Sequence, residues 1–220
     1  MCFFLTQTDV FFLQLTLLSL FRYIKTINLQ FDVTTFLQQQ TQAKQAPAPR
    51  ILSISLMGSV TQCTEIAEHL LVSYAFDLGL RVIQECRLPV TAIYSSAASN
   101  MARKRLEPKL QELLKAVKGT LPEEDWDEVL MACVRVYARE LNDIKTAEKY
   151  VARMSREESR VDGFIVCGKL KSAYISAVKD NLIVKIKAVR EEALRRNDNT
   201  VLQLCDKFLY LQAGPKPLGQ

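Results

Sequence analysis

VCGKLKSAYISAVKDN, residues 166–181, places Leu170, Ala173, Tyr174, Ala177 and Val178 at the i, i+3, i+4, i+7, i+8 spacing of one helical face. That face alternates small side chains with an aromatic one. Small residues admit a neighbouring helix to close range while Tyr174 fills the space beside them, the arrangement expected where ridges of one helix enter grooves of another. Gly168, Leu170, Ala173, Tyr174 and Ala177 are therefore read as a helix-packing set. An echo stands upstream in RLPVTAIYSSA, where Ala92, Tyr94 and Ala97 form a second set of the same kind, again between two helical stretches.

Outward from these stretches the same period continues. It predicts helices near 62–72, 74–87, 89–102, 106–118, 122–138, 143–154, 157–169, 170–180, 182–196 and 200–210. Glycine and proline are sparse at seven each, and no Asn-Gly or Asp-Gly joins two alternating runs, so hairpins of strands are not indicated. The expected class is all-α, with stacked helical hairpins forming an α-solenoid segment over 61–210. Residues 1–37 read as an N-terminal hydrophobic helical segment whose start has the look of an imperfect gene model. Within it an apolar stripe runs through Phe21, Ile24, Ile27, Leu29 and Phe31. Residues 38–60, with Pro47 and Pro49, read as a linker, and 211–220 as a flexible tail.

The first twenty residues are apolar but lack a basic leader and a small-residue cleavage site. Gln7, Asp9, Gln14 and Ser19 also interrupt them too often for a membrane span of about 20 residues. Net charge is +5, with acids and bases interleaved along the helices. The basic residues at 103–118 and 185–196 leave a nucleic-acid-associated helical repeat as the alternative reading; solvated helix faces account for them without nucleic acid.

Catalytic chemistry finds little purchase. The one histidine, His69, lies a turn from Ser73 and from Glu65, a row on one helix without a converging third element. Six cysteines are scattered singly, which suits reduced buried thiols and not a zinc site or a secreted disulfide framework. No phosphate-cradling glycine loop occurs. The reading is no enzyme, no catalytic residues, no metal, no cofactor and no small-molecule substrate in this chain.

Three collinear stretches, LFRYIKTINLQFDVTTFL at 20–37, AFDLGLRVIQECRLPVTAIY at 75–94 and CGKLKSAYISAVK at 167–179, resemble the C-terminal region of the spastizin family. These are the large zinc finger FYVE domain proteins, also called the zinc finger FYVE domain-containing protein 26 family. The FYVE finger itself, with its zinc and its phosphatidylinositol 3-phosphate binding, matches nothing here. The resemblance implies a cytosolic scaffold that works with spatacsin and subunits of the fifth adaptor protein complex at late endosomes and lysosomes, in lysosome reformation and autophagy. It also implies family roles at the centrosome and midbody in cytokinesis and in double-strand break repair. Membrane association would be peripheral, through other regions or partners.

Overall fold

The computed structural model describes residues 7–43, 51 and 55–213. Every regular element among them is helical, in an order of α1 Gln7–Gln42, α2 Val60–Val72, α3 Phe76–Glu85, α4 Val90–Arg103, α5 Glu107–Val117, α6 Glu123–Arg135, a π-helical turn Val136–Glu140, α7 Ile144–Val151, α8 Glu157–Val166, α9 Leu170–Lys179, α10 Ile183–Arg195 and α11 Asn199–Ala213. The chain divides into two compact units, 1–93 and 94–220.

In the N-terminal unit, α2 begins with a capping box: Ser59 Oγ accepts from Gln62 N–H while Gln62 Oε1 accepts from Ser59 N–H. α2 packs on α3, and the approach is close at Gly79, where an added Cβ would lie 3.0 Å from Leu71 Cδ2. α1 meets α3 through Leu29, Val33 and Leu37, all buried and four residues apart. An Arg81–Asp32 pair at 2.9 Å lies beside that contact. The stripe expected on α1 is corrected in part. Leu29 is buried, but Phe21, Ile24, Ile27 and Phe31 are exposed: the buried row runs through Leu29, Val33 and Leu37, Ile24, Ile27 and Phe31 lie off it, and Phe21 lies on its line two steps before Leu29, where burial has ended. α1 also continues to Gln42, so residues 38–42, read as linker, are helical. Leu56, further along the expected linker, is a buried core residue whose carbonyl accepts from Cys63 Sγ. Pro47, Pro49, residues 1–6 and residues 214–220 of the expected tail lie outside the described residues; 211–213 complete α11.

The C-terminal unit repeats one device. α6 packs on α7, α8 on α9 and α10 on α11, while α6 also touches α8, α8 touches α10, and α9 touches α11. Each helical hairpin thus lays its first helix on the first helix of the next, the layering of a helical solenoid. The core between the last two hairpins joins Val161, Leu170, Ala173, Ala177, Ile186, Val189, Ala193, Val201 and Cys205.

The corners are alike in both units. At Arg87, Arg105, Gly168, Asn181 and Asn197 the backbone takes positive φ, between 51° and 73°. The following residue then bonds back five positions: Leu88 N–H to Ile83 O, Leu106 to Met101, Lys169 to Phe164, Leu182 to Ala177 and Asp198 to Ala193, all 2.8–3.0 Å. This is the Schellman closure of a helix C-terminus, which satisfies carbonyls that the helix leaves open.

Candidate partner-binding face

The side chains proposed for packing divide into three groups. Leu170, Ala173 and Ala177 are buried, with Tyr174 half-buried against the same cluster. Tyr94 and Ala97 are buried as well, but Ala92 is exposed and Ile93 takes the inward position. Ile93, Tyr94, Ala97, Ala98 and Met101 make one helical face, and Ala92 lies about 200° round the axis from Tyr94, since each residue turns about 100°. Gly168 is a corner residue and not a packing one. Its φ is +73°, and a Cβ there would fall 2.6 Å from Arg196 Nη1.

The His69 row does form in part: His69 Nε2 lies 3.0 Å from Gln40 Oε1 and 3.4 Å from Ser73 Oγ. Both partners share one ring nitrogen. Among the described residues, no group of three or more His, Cys, Asp or Glu is placed to hold a metal ion, and no helix is long and apolar enough to cross a membrane. Cys63, Cys133, Cys167 and Cys205 are buried free thiols. Burial pushes Cys133 up to about 12, and Cys167 and Cys205 up to about 11, far from the depressed values of reactive cysteines.

The most heavily hydrogen-bonded carboxylate is Glu107, at the start of α5. It accepts from Tyr137 OH at 2.5 Å, Tyr150 OH at 2.6 Å and Gln111 Nε2 at 2.8 Å, and the two tyrosine rings stack at 5.5 Å. Burial pushes the Glu107 carboxyl up, but those three hydrogen bonds and the Lys149 charge together hold it below its ordinary value. Burial, then the bond to Glu107, pushes both tyrosines up. Every polar atom in this cluster has a protein partner. It ties α5 to α7 and the π turn, and it leaves nothing to offer a substrate.

What remains open is a groove. A cavity of about 460 Å³ runs over α6, α8 and α10, the first helices of three successive hairpins. Its floor includes Met131 and Val166, and its rim carries Glu124, Glu128, Arg135, Glu158 and Lys185. Arg156 bonds Glu124 at 3.2 Å and approaches Glu158 at 3.8 Å; Lys185 bonds Asp162 at 2.5 Å. The Arg156–Glu124 and Lys185–Asp162 pairs cross from one hairpin to the next and hold the spacing of the helices that form the groove. Glu128 and Arg135, two helical turns apart on α6, are exposed and form no ion pair among the described residues.

Beneath the rim sits Asp127, 2% exposed. Its carboxylate accepts from Ser155 N–H at 2.7 Å and Arg156 N–H at 2.9 Å, the backbone that leads into α8. A buried carboxylate is tolerated because two donors and the positive end of α8 face it. The signal for Asp127 was its place three residues before Leu130 and seven before Val134, a charge on the apolar face.

The description "ZFYVE26-like, TPR repeats" matches residues 89–210, more than half of the chain. A protein of Dictyostelium discoideum is 31% identical over 187 residues, 85% of this chain. The zinc finger FYVE domain-containing protein 26 of Bos taurus is 26% identical and that of Homo sapiens 25%, each over 213 residues or 92% of this chain. The chain spans only 7–8% of the length of these relatives. No solved structure matches it.

Proposed function

We propose, because the chain belongs to the ZFYVE26-like family with TPR repeats, that it is a non-enzymatic scaffold segment whose α6–α8–α10 groove receives a protein partner. The observation that carries this reading is the groove itself: three successive first helices open onto one surface on which the exposed Glu128 and Arg135 form no ion pair among the described residues. Solenoids use surfaces of this kind for partners because adjacent repeats present side chains in a fixed spacing. Spatacsin and subunits of the fifth adaptor protein complex are the partners proposed, and the late endosome and lysosome surface the place. Lysosome reformation and autophagy are the processes proposed, with centrosome and midbody roles and double-strand break repair belonging to the same family reading. Nucleic acid is not favoured: Arg103, Lys185, Arg190 and Arg196, in the two basic stretches, are engaged by Glu140, Asp162, Asp206 and Glu192.

Purified spatacsin and adaptor subunits, presented separately to the immobilised 220-residue chain, test the reading. At least one should be retained, and Glu128→Lys should reduce retention without lowering the melting temperature, whereas Lys118→Glu, an exposed change away from the groove, should not. Retention of none, or equal retention by Glu128→Lys, defeats it.

A further inference from the structure

A second cavity, of about 360 Å³, lies within the C-terminal unit between α4 and the junction of α6 with the π turn. Ser95, Ser96 and Ser99 line it from α4 with Arg103 at the helix end, and Arg135 and Glu140 line it from the other side. Ser95 Oγ is buried and has no hydrogen-bond partner; no other buried side-chain nitrogen or oxygen among the described residues is in that position. A buried polar atom left unpaired in a native fold calls for a ligand, ion or water to satisfy it.

The surrounding groups narrow the choice. Arg103 is closed off by a two-pronged bond to Glu140, Nε at 2.7 Å and Nη2 at 3.0 Å, so that pair contributes no net charge. The hydroxyls of Ser96 and Ser99 make no hydrogen bond among the described residues, and Arg135 makes no ion pair. The wall therefore presents three hydroxyls and one unneutralised guanidinium, with its only carboxylate already engaged. A cation would meet Arg135 unopposed. A carboxylate supplies two oxygens to this many donors, whereas a phosphate monoester supplies three terminal oxygens and close to two negative charges. The widened π turn that follows Arg135 belongs to a class of backbone irregularity that recurs at functional sites.

We propose that this cavity binds a phosphate monoester, with Ser95 Oγ and the Arg135 guanidinium as its principal donors. The site is separate from the α6–α8–α10 groove, although Arg135 borders both, and it does not depend on which protein occupies that groove.

The test is a titration of the 220-residue chain with inorganic phosphate and, in parallel, with an O-phosphoserine peptide, followed by amide chemical shifts against a sodium chloride control of equal ionic strength. Saturating shifts confined to residues near 95–99 and 135–140 are expected. Ser95→Ala and Arg135→Gln should each weaken binding about tenfold, the scale of one charge-assisted bond. Ser95→Ala removes no existing bond, so it should melt no lower than the parent and its loss of affinity would report the site. Tighter binding of the phosphoserine peptide than of phosphate identifies a phosphorylated partner side chain as the source; the reverse identifies free phosphate. Shifts reproduced by chloride, linear with concentration, or unchanged in Ser95→Ala would overturn the proposal.

Discussion

Replacing Asp127 with alanine should be among the most damaging single changes in the C-terminal unit. The carboxylate is buried, and both backbone N–H groups it serves, those of Ser155 and Arg156, have it as their partner. Loss of a helix-capping side chain alone costs about 0.5–2 kcal/mol. Here two part-buried donors lose their partner together, at up to about 1–3 kcal/mol each. Removal of the charge returns part of the desolvation cost, so a net loss of about 2–4 kcal/mol is expected. Asp127→Asn should be nearly as harmful, since its amide offers one oxygen to two donors and turns its own N–H₂ toward one of them. Urea unfolding followed by far-UV circular dichroism reads the effect as a lower midpoint at unchanged slope. The groove should suffer with it, because Asp127 fixes the backbone from which Arg156 reaches Glu124. An Asp127→Ala midpoint within error of the parent would refute the reasoning, and would mean that water serves Ser155 and Arg156 equally well.

Ala177→Leu forces extra methylenes into a fully buried position and should lower stability by about 1–3 kcal/mol, while the exposed Lys171→Ala should leave thermal melting unchanged; equal melting of the two would show that the small residues do not mark a close crossing. Glu107 is held below its ordinary pKa, so its contribution is present above the unfolded value near pH 4.3 and fades as pH falls through the lower folded value. The urea midpoints of parent and Glu107→Gln should accordingly draw together as pH falls on the acid side, and a gap that widens there would contradict this. Arg87→Gly, at an exposed corner with φ of 51°, should raise the melting temperature, since positive φ costs a residue with a Cβ about 1 kcal/mol; a lower melting temperature would point to a contact made by the arginine.

The helices could be read from the sequence because their apolar faces repeat near 3.6 residues, and α9 and α10 begin within a residue of where Leu170 and Ile183 suggest. The fine register was harder. In TAIYSSA the alternatives Ala92 and Ile93 are both apolar, and only the packing partners decide which one turns inward. The π turn at Val136–Glu140 was hidden in an uninterrupted helical pattern, since one widened turn changes backbone bonding without changing residue type. The groove was not legible at all. It is formed by α6, α8 and α10, whose groove residues Glu128, Asp162 and Lys185 are 34 and 23 residues apart along the chain, and by charges that look like ordinary solvated residues in sequence. Ser95 gave no signal either, because a missing hydrogen bond is a property of its neighbours.

The corners carry a consequence for how such a chain can change in length. Tyr74, with φ of 69° and Ala75 N–H bonded to Leu70 O at 3.0 Å, makes the same closure, so five of the six Schellman corners use Tyr, Arg or Asn at the positive-φ position and only one uses glycine; the joint depends on backbone geometry more than on a particular residue. A joint of that kind is interchangeable. Duplicating the stretch from Glu157 to Leu182 would copy one whole hairpin together with the corner at each of its later helix ends, and the new copy would meet its predecessor through the same termination it already uses. Deletion of that stretch would splice equivalent ends in the same way. Such a chain can vary its number of repeats by gene duplication in whole-hairpin steps, while insertions of a few residues within a helix would rotate every face beyond them.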